Sequence, residues 1–156
     1  MTEERKQWIC TTVDVDGGTR VAGSPTQAVS MGVAAKDKIW PKGKVLKVRF
    51  LQGPAALHAR VLKAAQSWIL PGMKLQLLAA QAGEAADFRI NFDTTSGSWS
   101  YVGTDCRTIR PADPTMNLGW ADLETPEKDF SSVVIHEFGH ALGLLHEHNH
   151  PGARVQ

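Results

Sequence analysis

Residues that can bind a metal ion are concentrated near the C-terminal end of the chain. The sequence from His136 to His146 reads His-Glu-Phe-Gly-His-Ala-Leu-Gly-Leu-Leu-His. Histidines four positions apart lie one helical turn above each other, so His136 and His140 can share one ion. Glu137 flanks that ion, where its carboxylate could hold an ion-bound water molecule without itself binding the metal. The pattern therefore predicts a metal centre on a helix.

The third ligand in this pattern is His146, which follows a glycine. Gly143 lets the chain leave the helix through a positive φ and turns His146 back toward the ion. Three neutral imidazoles with one open position are typical of catalytic zinc, whereas structural zinc usually has four protein ligands. One Zn²⁺ would lower the pKa of its bound water to about 7, and Glu137 would take the proton as general base. This combination predicts attack on a carbonyl.

The remaining histidines allow more than one interpretation. His148 and His150 could replace a ligand or form a solvated tail. His58 lies in the first predicted helix and is expected to be a surface histidine or one with a hydrogen-bond partner. Two cysteines, Cys10 and Cys106, could form one disulfide or none, and they are too few for a zinc-thiolate site.

Hydrophobic periodicity predicts the elements that position these residues. Alternating apolar residues and helical spacing indicate, in chain order, a strand at 44–51, a helix at 54–70, and strands at 74–80 and 87–93. Residues 94–103 are predicted to form a loop, and residues 115–120 an edge strand. Asp129 or Ser131 is expected to cap the last helix, which ends at Gly143. This order of elements favours a mixed sheet.

Length and charge bound the class of protein. The chain has 156 residues, and 17 Lys and Arg balance 16 Asp and Glu. We therefore expect one globular domain and a monomer. We expect no nucleic-acid partner, because affinity for phosphate grows with the number of cations held against it. The first ten residues are polar and predict neither a secretory signal nor a membrane span, so we expect no membrane partner.

The eleven-residue pattern resembles the signature of the metzincin zinc endopeptidases, and two features point to the astacin-like branch. Glu147 directly follows the third histidine, as it does in astacins. The segment Gly-Ser-Trp-Ser-Tyr-Val-Gly at 97–103 resembles the astacin segment before the edge strand, with Ser98 where animal astacins have cysteine. The likeness is close over 93–151 and looser back to residue 40.

This resemblance implies a fold and a mode of substrate binding. The fold is an α/β (α+β) metzincin upper subdomain, with a mixed, mostly parallel twisted sheet, an antiparallel edge strand and two long helices. The second helix carries the zinc motif. The edge strand, here residues 116–120, would bind a polypeptide substrate in extended form. Asn117 and Gly119 are then the expected substrate contacts.

The resemblance also divides the chain. Residues 1–39 are expected to be a loosely ordered or pro-segment-like lead-in, and residues 40–156 the upper part of the catalytic domain, truncated after the third histidine. The methionine turn and the tyrosine that metzincins and astacins carry downstream find no counterpart, since the only tyrosine is Tyr101 and no methionine follows His136. We expect either a fragment or a reduced protein. In astacins, the glutamate after the third histidine has a role that depends on a trimmed N-terminus reaching it. Glu147 either has this role or is a hydrogen-bond partner of a histidine ligand.

The expected function is that of a zinc metalloendopeptidase that hydrolyses peptide bonds through zinc-bound water, with Glu137 as base. The family likeness makes secretion plausible. The alternative is a non-catalytic zinc-binding or peptide-binding fragment that lacks the lower subdomain. A metal-dependent hydrolase or transferase of small molecules is a third reading, because a polarised water attacks many electrophiles.

Overall fold

The structure is a computed structural model that describes the backbone of residues 10–13, 19–22 and 33–145, and side chains from residue 34 onward. In chain order its strands are β1 (Cys10–Val13), β2 (Thr19–Ala22), β3 (Val33–Ala34), β4 (Val45–Phe50), β5 (Gln76–Ala79), β6 (Phe88–Asn91), β7 (Ser98–Tyr101), β8 (Met116–Leu118) and β9 (Leu144–Leu145). The two α-helices are α1 (Ala55–Ala65) and α2 (Glu127–Ala141). Short 3₁₀ turns lie at Lys36–Lys38, Gln66–Trp68 and Gly103–Thr108.

A mixed sheet forms the centre of the structure, in the order β2-β1-β7-β8-β6-β4-β5. Strands β5, β4, β6 and β8 run parallel to one another, and β7 is antiparallel to β8. Strand β1 adds to the outer side of β7 in parallel, and β2 pairs antiparallel with β1. The five strands from β7 to β5 confirm the predicted mixed, mostly parallel sheet.

One face of this sheet packs against both helices and forms the core. Leu46, Val48, Phe88 and Ile90 point to this face and are at most 1% exposed. Phe88 makes edge-to-face contacts with Trp40 and with Phe138 of α2, which is a favoured arrangement for aromatic rings. The core thus fixes α2 against the strands through close aromatic packing.

Helix α2 begins earlier than the sequence suggested. Neither Asp129 nor Ser131 caps it, because the helix starts at Glu127 directly after Pro126, which has a φ of −53° and no side-chain cap. Proline is well suited to a helix start, since its ring fixes φ near helical values and its missing N–H would have no partner there. The hydroxyl of Ser131 instead donates to Glu127 Oε1 at 2.8 Å.

Two predictions about the outer strands are wrong. Strand β8 was expected to be an edge strand, but it lies between β6 and β7 and bonds to both. Residues 94–103 were expected to be a loop, yet Ser98–Tyr101 form the antiparallel strand β7. Serines alternate with aromatic residues in β7, and the buried residues are the serines, so the strand buries its polar side chains and its burial could not be predicted from hydrophobicity.

Across residues 33–145 and the two short N-terminal strands, no helix is both long and apolar enough to cross a bilayer. The longest of them, α2, has 15 residues.

Candidate metal centre

Helix α2 places two of the predicted ligands one turn apart. The imidazole rings of His136 and His140 have centroids 4.9 Å apart, with their planes at 86°. Two tryptophan indoles hold this part of the helix. Trp68 Nε1 donates to the Ile135 carbonyl at 2.7 Å, and Trp40 Nε1 donates to the Ala141 carbonyl at 2.8 Å. The two histidines therefore project from a helix segment that is fixed on both sides of the pair.

The hydrogen bond of His140 determines which of its nitrogens can bind a metal. His140 is fully buried, and its Nδ1 lies 2.8 Å from the carbonyl oxygen of Leu144. A carbonyl only accepts, so Nδ1 carries a proton, and in the neutral ring Nε2 then carries the lone pair. Metal-binding histidines usually donate their other ring N–H in this way, which orients the ring and raises its basicity. The arrangement of His140 thus fits a metal ligand.

The protonation state of His136 also fits metal binding. Burial lowers the pKa of His136 from 6.5 to about 4, because desolvation disfavours the charged imidazolium. The ring is therefore neutral at neutral pH, and a neutral imidazole is the form that binds zinc. Two such nitrogen donors favour zinc over the oxygen-preferring calcium and magnesium.

The carboxylate of Glu137 lies in the same helical turn as the two imidazoles. Its residue is only 1% exposed, although glutamate is among the residues least often buried. Burying a carboxylate is costly unless polar groups or a metal compensate its charge. A buried glutamate directly after the first imidazole is therefore consistent with a site that carries positive charge.

The turn after α2 has the geometry that the sequence predicted. Gly143 has a φ of +107°, a conformation that residues with a side chain rarely adopt. The N–H of Gly143 donates to the His140 carbonyl at 2.9 Å, and its own carbonyl accepts from Ala35 N at 2.8 Å. The chain then continues into β9, which pairs antiparallel with β3. The predicted helix stop at Gly143 is confirmed.

The third proposed ligand follows β9 directly. His146 lies outside the described residues, as do Glu147, His148 and His150, so their roles stay predictions. Between residues 34 and 145 no three His, Cys, Asp or Glu side chains come together as a metal site. Of the predicted site residues, the described part contains His136, His140 and Glu137, and their metal-binding and catalytic roles also stay predictions.

The two predicted substrate contacts have clear structural roles. Asn117 Nδ2 donates to the carbonyls of Asp93 at 2.9 Å and Gly97 at 2.6 Å, and its Oδ1 accepts from Asp93 N at 2.9 Å. A Cβ at Gly119 would lie 2.6 Å from the same two carbonyl oxygens. Both residues thus fix the turn before β7. Substrate contact stays a prediction for each, while its premise, an edge position, is wrong.

The structure also describes the surroundings of His58 and Cys106. His58 Nε2 lies 2.7 Å from the Gln52 carbonyl, and the ring stacks on Phe50 with centroids 4.2 Å apart, so His58 has a hydrogen-bond partner as predicted. Cys106 is buried and forms no disulfide. Burial raises the pKa of the Cys106 thiol to about 12, so the thiol is protonated at neutral pH.

Three features that position the site were missed by sequence reasoning. These are the Leu144 carbonyl that orients His140, the Trp40 indole that binds the end of α2, and the strand β7 against which α2 packs. The first is a contact made by a backbone carbonyl, and the second is made by a residue about 100 positions away in the chain. Neither kind of contact produces a local sequence pattern. The alternation Ser-Trp-Ser-Tyr in β7 was the one available signal, since it has the period of a strand.

Two solved structures of myroilysin are similar to this chain. One is 36% identical with a TM-score of 0.72, covering 78% of this chain and 58% of the other. The second is 32% identical with a TM-score of 0.73, covering 95% of this chain and 56% of the other. This chain therefore spans little more than half the length of the structures it matches.

No protein-family profile matches the chain. No curated protein sequence matches it either. The strand order and the two myroilysin structures together show the fold, which is that of the astacin-like metzincin upper subdomain.

Proposed function

We propose that this chain is the upper part of a zinc-dependent metalloendopeptidase of the astacin-like metzincin type. The observation that carries this proposal is the pair of imidazoles of His136 and His140 on α2, with His140 oriented by the Leu144 carbonyl and Glu137 buried beside them. His146 would complete the ligand set. The fold shared with myroilysin supports the proposal.

Each residue of the centre has a defined task in this reaction. Bound zinc would supply Lewis acidity, lowering the pKa of a water molecule and polarising the peptide carbonyl. Glu137 would accept the proton of the attacking water and deliver it to the departing amide nitrogen, as a general base and then a general acid. The Leu144 carbonyl would keep Nε2 of His140 directed at the ion. Gly143 would turn the chain so that His146 can reach it.

We propose that an extended polypeptide substrate adds to the sheet beside the centre. Helix α2 packs against β7, which is the antiparallel outer strand of the five-stranded core sheet. A peptide that adds to an exposed strand forms main-chain hydrogen bonds along it and presents its backbone to neighbouring groups. Strand β7, rather than β8, is therefore the strand with the position to receive a substrate.

The outer edge of β7 already pairs with a segment of this chain. Cys10 to Val13 lie in parallel register with Ser98 to Tyr101 and use the hydrogen-bonding groups that a substrate would need. We therefore propose that residues 1–39 are pro-segment-like and compete with the substrate for this edge. A chain that begins at Val33, which keeps the pairing of β3 with β9, should cleave unfolded protein substrates faster than the full chain. Equal rates would rule out β7 as the substrate strand.

The hydrolytic role of Glu137 can be tested by replacing its carboxylate with an amide. Glu137→Gln should keep stoichiometric zinc, measured by metal analysis, and lose casein hydrolysis by at least about 100-fold, which is the lower range for a general base. Glu124→Gln is a matched control, because Glu124 is exposed and lies before the helix. Full activity of zinc-loaded Glu137→Gln would contradict the mechanism.

The second candidate function is that of a non-catalytic zinc-binding or peptide-binding module. It is motivated by the coverage of little more than half of each myroilysin chain. This reading predicts one bound zinc and no hydrolysis, even for the chain that begins at Val33. Casein hydrolysis that depends on Glu137 would exclude it.

A further inference from the structure

A second candidate site lies at the N-terminal end of β6, away from the residues of the metal centre. Here the structure contains a cavity of about 250 Å³ whose lining includes Arg49, Arg89 and Arg107, together with Asp87 and Cys106. A water molecule occupies roughly 30 Å³ in the liquid, so the cavity has room for a small polyatomic ion and several waters. Three guanidinium groups and one carboxylate give this lining an excess of positive charge.

The arrangement of two of the arginines is unusual for neighbouring strands. Arg49 of β4 and Arg89 of β6 are register partners, so two cationic side chains start side by side on the same face of the sheet. Like charges in this position destabilise a sheet unless something compensates them. An anion between the two side chains would remove that repulsion.

Arg89 is held in a fixed orientation by the backbone. The residue is 6% exposed, and within residues 34–145 its guanidinium donates to the carbonyl oxygens of Asp113 (2.7 Å), Arg110 (3.1 Å), Ile109 (3.2 Å) and Ala86 (3.3 Å). Carbonyls satisfy its N–H groups but do not neutralise its charge. The buried guanidinium therefore keeps a full positive charge at the edge of the cavity.

Arg49 and Arg107 are in a position to bind a ligand. Arg49 donates through Nη2 to the carbonyls of Gln81 and Glu84, and no contact within residues 34–145 uses its Nε or Nη1. The guanidinium carbon of Arg107 lies over the Trp40 ring, 5.2 Å from its centroid. Stacking on an aromatic face holds a guanidinium plane in place and leaves its N–H groups at the rim.

The acidic side chains around the cavity are bound to other cations. Asp87 pairs with Lys44 at 3.7 Å, Glu84 with Lys47 at 3.0 Å, Asp105 with Lys38 at 2.6 Å and Asp113 with Arg110 at 3.3 Å. Over the side chains that the structure describes, Arg49, Arg89 and Arg107 form no ion pair with any carboxylate. The lining therefore keeps a net positive charge, which Asp87 in the lining and the Coulombic interaction of Arg49 with Glu84 offset only in part.

We propose that this cavity is a binding site for a small tetrahedral oxyanion of the phosphate or sulfate class. Arg49 and Arg107 would each donate N–H groups to its oxygens, and the fixed charge of Arg89 would attract it. Guanidinium groups suit this ligand, because their planar donors match the spacing of phosphate oxygens and charge-assisted hydrogen bonds are stronger than neutral ones. The ion would connect β4 and β6 to the loop that contains Gly103–Thr108.

The experiment uses inorganic phosphate and sulfate on the full chain, in the presence of a chelator so that the histidine centre holds no metal. Binding is measured by isothermal titration and by the midpoint of thermal unfolding. Sodium chloride keeps the ionic strength constant, since screening alone changes the stability of charged surfaces. We expect saturable binding and a rise of the unfolding midpoint that follows ligand concentration.

Substitutions assign the binding to this cavity. Arg107→Gln and Arg49→Gln should each weaken phosphate affinity at least tenfold, which is the loss of one charge-assisted contact. Arg110→Gln is the matched control and should bind as the parent does, because its exposed side chain is not part of the lining. Arg107 is exposed, so its substitution keeps the test valid if Arg49→Gln does not fold.

The proposal is overturned by either of two results. One is the absence of saturable binding at millimolar phosphate and sulfate. The other is an unchanged phosphate affinity in Arg107→Gln, together with an Arg49→Gln variant whose phosphate affinity is unchanged or that does not fold. Because no step involves zinc or hydrolysis, neither result bears on the peptidase proposal.

Discussion

The two faces of the central strands differ in what they contribute. Toward the helices, β4 and β6 present Val48 and Phe88, which are almost completely buried and pack around α2. On the opposite face the same strands present Arg49 and Arg89, whose guanidinium groups donate hydrogen bonds to loop carbonyls. A strand alternates its side chains, so one short sequence can serve a hydrophobic core and a charged cavity at once.

On the face covered by the helices, the candidate site depends on the same packing that stabilises the fold. On the opposite face, ligand binding and stability depend on different contacts. The candidate metal centre depends on the covered face, since aromatic packing and two indole hydrogen bonds fix α2 there. The arginine cavity depends on loops that carry few buried apolar residues. We therefore expect substitutions on the covered face to unfold the protein, and those on the other face to act mainly through hydrogen bonds and charge.

The largest effect is expected for Phe88→Ala on the covered face. Phe88 is 1% exposed and contacts both Trp40 and Phe138, so its removal leaves a cavity below α2. The free energy of unfolding in urea should fall by about 3–5 kcal/mol. Leu78→Ala on β5 is the control, with a change of less than about 1 kcal/mol, because Leu78 is 45% exposed. Similar losses in both variants would contradict the contrast between the faces.

A smaller loss is expected for Asn117→Ala, whose side chain points away from the helices. The substitution removes three hydrogen bonds to the backbone of Asp93 and Gly97 and leaves buried polar groups without partners. The free energy of unfolding should fall by about 2–3 kcal/mol. Thr94→Ala, an exposed residue of the same turn, should change it little. If Asn117 served only to bind substrate, its replacement would lower hydrolysis and leave unfolding unchanged.

The third effect is a dependence of stability on pH, in a metal-free sample. The pKa of His136 is lowered by burial to about 4 in the folded state, against 6.5 for the free side chain. Between these values the unfolded chain binds a proton that the folded chain does not, so stability must fall as pH decreases from about 6.5 to about 4. Urea unfolding across this range measures the slope.

A histidine variant separates this contribution from the other titrating groups. His136→Gln should reduce the slope, because a glutamine side chain binds no proton in this range. The pKa of Asp93 is lowered by hydrogen bonds from Thr95 and Ser96, so its contribution is lost only at still lower pH. An equal slope in His136→Gln would show that the imidazole is not desolvated.

The local features of this protein follow from residues that are close together in the chain. The spacing of His136 and His140 and the positive φ of Gly143 follow from helix geometry and from the freedom of glycine, which depend on neighbouring residues alone. The period of apolar residues likewise predicted β4, β5, β6 and both helices to within a few residues.

The choice of neighbouring strands, in contrast, depends on contacts between distant parts of the chain. Strand β8 lies inside the sheet because β7 and β6 pair on its two sides, and β7 in turn pairs with Cys10 to Val13, far away in the chain. The same holds for the carbonyl of Leu144 on His140 and for the register of Arg49 with Arg89. Pairing between distant segments depends on the packing of the whole chain, whereas periodicity reports only whether a segment can form a strand or a helix.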